Sequence, residues 1–146
     1  MKPPAWRQAP DCYPVRCTIE SRYTDEDRLG HINNIAIATY YDEARSRFTK
    51  GRFAAIGSDQ VSRIVTADSR VTYLAEVFHG DVIEVRTGIL RISTASFELG
   101  QAMFVDARCV GLCTTTIVQA TARGSLPLSP AMRGALEGVL IRAPQA

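Results

Sequence analysis

RYTDEDRLGHINNIAIATYYDEAR, residues 22–45, sets an acidic, turn-forming segment directly in front of an apolar-periodic helix. Between Asn33 and Phe53, the residues Ile37, Tyr40 or Tyr41, Ala44 and Phe48 recur at three- and four-residue spacing, with Asp42, Glu43, Arg45, Arg47 and Lys50 on the other side. Glu43 and Arg47 add an ion pair one helical turn apart. Asn33 and Asn34 suit the cap position, where an Asn side chain satisfies a backbone N–H that has no helical partner. A helix starting there points its remaining free N–H groups and its positive dipole end at whatever Asp27 can reach. A carboxylate beside such an anion site is a candidate catalytic pair.

Outward from this stretch the pattern is strand before and strands after. From Val15 to Tyr23 the positions Val15, Cys17, Ile19 and Tyr23 are apolar or soft while Arg16, Thr18, Glu20 and Arg22 are polar, the alternation of a half-buried strand. Gly51 and Gly57 bracket the expected helix end, and a GSDQ loop follows. Val65, Ala67, Val71 and Tyr73 are expected on one face of a strand from about Val61 to Leu74, and the His79–Asp81 turn leads into VIEVRTGILRI. Phe97, Leu99, Met103 and Val105 then share a face, and Val110, Leu112, Val118 and Ala120 share another. Four strands joined by short turns are antiparallel. Pro130–Ile141 predicts a short closing helix, with Ser129 as cap and Pro130 at the first helical position. The result is an α+β domain in which a curved five-stranded sheet covers one long helix.

Size and charge narrow the partners. The 146 residues, 46% apolar, have the length of one domain, which would bury about two-thirds of the surface its unfolded form exposes. No repeat, low-complexity tract or linker divides residues 1–146. The net charge is +2, and fifteen Arg and two Lys are scattered from end to end, so no basic run marks a nucleic-acid binder. MKPPAWRQAPDCYP has no unbroken apolar stretch, and nowhere do eighteen apolar residues run together, which predicts a soluble, cytoplasmic protein without a membrane partner. Cys12, Cys17, Cys109 and Cys113 lie in segments that read as extended, where four residues span about 13 Å, beyond disulfide reach. With no CxxC and no suitably spaced His, they are expected to be reduced and structural, and no metal site is expected.

Asp25, Asp27, Gly30, His31, Ile32, Asn33 and Asn34, then Tyr40, Tyr41, Glu43, Ala44 and Arg45, resemble the pattern DxDxxGHVNNxxYxxYFExAR of the hotdog-fold acyl-CoA thioesterases of the 4-hydroxybenzoyl-CoA thioesterase group. Downstream, Tyr73-Leu74-Ala75 and Gly80-Asp81, followed by Val82 to Val85, are similar to that family's YLxP…GD strand, turn and strand. The resemblance covers roughly residues 15 to 122. Ile37 stands where the pattern carries an aromatic, and Glu76 where it carries Pro.

The resemblance implies a hotdog fold and hydrolysis of an acyl-CoA or acyl-carrier-protein thioester, with no cofactor because coenzyme A is part of the substrate. It implies Asp27 as nucleophile or as base for a water, and the backbone N–H of Asn34 as the donor to the thioester carbonyl. It also implies homodimers or homotetramers whose sheets join edge to edge, with the active site at the subunit interface. An oxyanion forms in the tetrahedral transition state, and losing one fixed donor to such an oxygen costs roughly 3 to 4 kcal/mol. An ionised Asp27 would attack the acyl carbon or take a proton from water. From residue type alone, Asp27 reads as a loop carboxylate interacting with a helix start, and it is the surrounding motif that favours the catalytic role. Asp25 is read as shaping the turn, and Gly30 as supplying a backbone conformation other residues resist. His31 either orients the substrate carbonyl or closes the approach to the helix, and His79 is read as structural or exposed. Asp42 and Glu43 offer the mid-helix carboxylate of a second hotdog branch, against surface pairing with their neighbouring arginines. Arg63, Arg70, Arg91 and Arg123 are candidates for the phosphates of coenzyme A. Two other readings use the same scaffold: a non-catalytic acyl-CoA-binding subunit, or an enoyl-CoA hydratase.

Overall fold

The computed structural model of the chain describes residues 2–53 and 63–144. The expected GSDQ loop with Gly57, and the expected strand start at Val61, lie outside the described residues. Helix α1, Asn34–Phe53, begins where the capping residues predict. Asn33 Oδ1 accepts the Ala36 N–H at 2.7 Å and the Asn33 carbonyl accepts the Ile37 N–H at 3.1 Å, which makes Asn33 the cap. Ala36, Ile37, Tyr40, Tyr41, Ala44 and Phe48 form its buried stripe. The helix runs through Gly51 instead of stopping there. Phe53 holds the last turn by packing edge-on against Phe48 and Phe97, at ring-centroid distances of 6.4 and 6.2 Å.

The strands are β1 Val15–Ile19, β2 Arg63–Tyr73, β3 Ile83–Ile92, β4 Ser96–Val105 and β5 Arg108–Thr121, with a two-residue β6 Gly124–Ser125 on the end of β5. All pairings are antiparallel and the main order is β1-β3-β4-β5-β2. The chain of neighbours expected from short turns therefore holds only for β3, β4 and β5. The His79–Asp81 turn, with Gly80 at φ +99°, does not close a β2–β3 hairpin. It redirects a connection that has crossed the width of the sheet. Strand β1 ends at Ile19, and Tyr23, expected at its end, is exposed in a short 3₁₀ turn. Between β4 and β5, Asp106 and Ala107 both have positive φ, the geometry of a two-residue hairpin loop that follows strand twist.

Three bulges curl this sheet over α1, since an extra residue in one strand bends it and increases its twist. They lie at Ala67, Leu90 and Val110, where the pairing register slips. The bulges also overturn two expected faces. Beyond Ala67 the inward parity changes, so Ile64 and Val71 face the core while Val65 is exposed. At Val110 the slip turns that side chain toward α1, whereas Leu112 packs on the back of the sheet.

Burial under the helix falls into two apolar clusters. Ile37, Tyr40, Tyr41 and Ala44 meet Ile83, Val85, Met103 and Val110 at one end. Phe48 and Phe53 meet Ile89, Phe97, Leu99 and Ile117 at the other, closed by Met132 and Leu136 of α2, Pro130–Glu137. Ser129 caps α2 by accepting the Met132 N–H at 3.1 Å, and the helix ends four residues short of the expected Ile141. Between the clusters Gln101, fully buried, accepts from Arg45 at 3.2 Å and donates to the Tyr41 carbonyl and Thr87 Oγ1 at 3.1 and 3.2 Å. The back of the sheet is covered by the N-terminal segment, where Trp6, Ala9, Cys12 and Tyr13 pack on Ala102, Phe104 and Leu112. All four cysteines are free thiols, with Cys12 and Cys113 buried. This curled sheet around one long helix, with a short helix at the C-terminal end, is the hotdog architecture.

Candidate active site

The loop before α1 is built on Asp25. Its carboxylate accepts the Arg22 N–H at 3.0 Å, the Arg22 guanidinium at 3.0 Å and the Tyr40 hydroxyl at 2.6 Å. Its carbonyl accepts both the Asn33 N–H and the Asn33 side-chain amide, at 3.0 and 2.9 Å. Burial pushes the Asp25 carboxyl up, but the Tyr40 and Arg22 hydrogen bonds outweigh it and hold it below the ordinary aspartate value. Burial, with the same carboxylate, raises the Tyr40 phenol far above the ordinary tyrosine range, so it remains a donor. Asp25 thus ties the loop to the helix start, as the sequence predicts.

Asp27 lies two residues on and is differently used. Its N–H donates to the His31 carbonyl at 2.9 Å, and its carbonyl accepts the Gly30 N–H at 3.1 Å. Gly30 takes φ +88°, a conformation that side chains with a Cβ resist. One carboxylate oxygen of Asp27 accepts the Leu29 N–H at 2.9 Å, and the other stands 3.6 Å from His31 Nδ1. On the far side of the imidazole, Nε2 is 3.8 Å from Glu76. Both gaps exceed hydrogen-bond length. The Ile32 N–H donates to the Val77 carbonyl at 2.7 Å, which pins this loop against the segment following β2.

A cleft of about 270 Å³ opens beside the helix start. His31, Asn34 and Glu76 line its outer part, and the buried Ile37, Tyr41, Met103 and Val110 its inner part. In an α-helix the first four N–H groups lack partners within the helix. The Asn33 N–H is taken by the Asp25 carbonyl and that of Ala36 by the cap side chain, which leaves Asn34, on the cleft, and Ile35, exposed.

Of the residues singled out in the sequence, His31 and Asn34 share this cleft, while the Asp27 side chain, 30% exposed, stands 3.6 Å from the His31 ring and is not one of the lining residues. The other candidates lie elsewhere. Asp42 pairs with Arg45 at 3.1 Å and Glu43 with Arg47 at 3.2 Å, the surface pairing expected of them. His79 is exposed and sits 2.8 Å from Ser21 Oγ. None of Arg63, Arg70, Arg91 and Arg123 lines the cleft. Arg63 is ten residues up β2 from Tyr73, or about 33 Å away along the strand. Arg91 is paired with Glu98 and Arg123 is in the turn after β5. Tyr41, Met103 and Val110 were not signalled as lining residues. Tyr41 follows Asn34 by seven positions and therefore shares its helix face, whereas Val110 is placed by a bulge that has no sequence signature. Among the described residues no three His, Cys, Asp or Glu side chains cluster as metal ligands would.

The family model of the thioesterase-like superfamily matches residues 21–136. A protein of solved structure from Pseudomonas aeruginosa strain PAO1 is 23% identical, with 92% of this chain and 97% of that one covered and a TM-score of 0.79. A thioesterase from Thermus thermophilus, solved with coenzyme A and zinc, is also 23% identical, covering 88% and 95% at a TM-score of 0.77. A thioesterase-superfamily structure from Jannaschia sp. CCS1 is 25% identical, covering 89% and 87% at a TM-score of 0.76. No curated protein matches the chain in sequence.

Proposed function

Because the chain belongs to the thioesterase-like superfamily, we propose that it hydrolyses the thioester of an acyl-CoA to a free acid and coenzyme A. The observation that carries this reading is the coincidence, at one cleft, of a helix-start N–H at Asn34, the His31 ring and, 3.6 Å behind that ring, the Asp27 carboxylate. The thioester carbonyl oxygen points at the Asn34 N–H, which stabilises the negative charge that develops there. Asp27 then acts in one of two balanced ways. Its oxygen adds to the acyl carbon, the C–S bond breaks to release thiolate, and water hydrolyses the mixed anhydride. Alternatively it takes a proton from water, hydroxide adds to the same carbon, and the tetrahedral oxyanion collapses with loss of thiolate. His31 lies on the cleft with its ring nitrogens toward the Asp27 and Glu76 carboxylates, where it would orient the substrate carbonyl. The coenzyme A held by the Thermus relative supports a CoA ester as substrate.

Assembly completes this proposal. Strand β2 is eleven residues long, lies at the end of the strand order and is largely exposed, and a long open edge invites pairing with another chain. We take the protein as a homodimer, or a dimer of dimers, joined along β2 beside the cleft, and sedimentation at micromolar concentration reads this directly.

The test of activity is thiol release over short, long, branched and aromatic acyl-CoA substrates. Turnover of at least one class above the buffer rate is expected. Saturable binding with no thiol release from any class contradicts hydrolysis, and favours the non-catalytic acyl-CoA-binding reading, whose support is that Asp27 itself does not line the cleft.

A further inference from the structure

The inner end of the cleft holds a polar atom that the hydrolytic chemistry does not use. Tyr41 is fully buried, and its hydroxyl has no hydrogen-bond partner among the described residues. The hydroxyl lies against Gly111, also a lining residue, where an added Cβ would stand 2.6 Å from the phenolic oxygen. Glycine is thus what makes room for this hydroxyl in the wall of the cleft. The surrounding lining of Ile37, Met103 and Val110 is apolar and supplies no acceptor. Burial holds the phenol well above the ordinary tyrosine range, so the group stays a neutral O–H donor.

We propose that Tyr41 is a specificity-determining residue, donating a hydrogen bond to a carbonyl oxygen carried near the distal end of the substrate's acyl group. A lone donor in an apolar floor matches an oxygen that only accepts. A distal hydroxyl would bring an unmatched O–H, and a carboxylate a charge with no cation among these lining residues. Burial agrees with a distal position, because Asn34 is exposed and Tyr41 fully buried, with their Cα atoms about 10 Å apart along the helix axis. The inference rests on the acyl-CoA reading above and adds the class of acyl group.

The experiment compares hexanoyl-CoA with 5-oxohexanoyl-CoA on wild type and Tyr41→Phe, in kcat/KM and, by calorimetric titration, in Kd. Wild type is expected to favour the oxo substrate by about tenfold, the worth of one ordinary net hydrogen bond. Tyr41→Phe should bring that ratio to one or below, with a thermal midpoint no lower than wild type, since the lost hydroxyl had no partner in the protein. Equal ratios in wild type and variant overturn the role of Tyr41. Absence of turnover with both substrates sinks the hydrolase reading alone, and the same ratio taken from the two Kd values then decides for or against Tyr41.

Discussion

Asp25 and Asp27 stand two residues apart in one loop and have opposite surroundings. Asp25 is buried, and three donors from Arg22 and Tyr40 occupy its carboxylate. Asp27 is part-exposed, gives one oxygen to the Leu29 N–H and leaves the other 3.6 Å from the His31 ring, which lines the cleft. A buried carboxylate with both oxygens held by donors cannot attack a carbon or receive a proton without first breaking structure. The difference separates the acid that builds the loop from the acid proposed for the chemistry.

Removing the first should cost stability. Asp25→Ala strands the Tyr40 hydroxyl and the Arg22 N–H, and is expected to destabilise by about 2 to 4 kcal/mol in denaturant unfolding while the folded fraction keeps its turnover. A loss of turnover in the folded fraction would erase the distinction between the two acids. Tyr40→Phe removes only one charge-assisted bond and should cost roughly 1.5 to 3 kcal/mol, toward the lower end because Arg22 still serves Asp25.

The pH dependence sharpens the same contrast. The folded-state pKa of Asp25 is depressed, so its contribution is present above the ordinary aspartate value and is lost as pH falls through the folded value. The Tyr40 pKa is raised, so its contribution is present below the ordinary tyrosine value and fades as pH rises beyond about 10. Unfolding free energy measured against pH should fall on both flanks, and Tyr40→Phe should flatten both; identical curves for wild type and variant would contradict the assignment. The smallest effect is a control remote from either acid. Ala107 holds φ 64° in the β4–β5 turn, and Ala107→Gly should stabilise by up to about 1 kcal/mol in the same unfolding assay, without touching turnover.

What could be read in advance follows the range of the forces involved. The start of α1, its Asn33 cap and the turn-shaping role of Asp25 are local, set by residues within a few positions of one another. Strand alternation was legible until a bulge intervened, and a single inserted residue at Ala67 or Val110 changes which side chains face the helix. The order of strands is not legible at β2, because a turn such as that at His79–Asp81 has the same residues whether it closes a hairpin or redirects a crossing chain. Arg7 had no signal at all. It lies buried on the back of the sheet, bonded to the Tyr13 hydroxyl, Thr114 and the Cys113 carbonyl, partners up to 107 residues away. The cleft falls between these cases, with its outer part announced by GHINN and its inner part assembled by distant strands.

The most direct measurement is kcat/KM of Asp27→Asn on the best acyl-CoA substrate, beside its thermal midpoint. A general base or nucleophile is worth about 10² to 10⁴ in rate, so a fall of at least a hundredfold with the midpoint within a few degrees of wild type is expected. Turnover within threefold of wild type in a fully folded variant would contradict a catalytic Asp27.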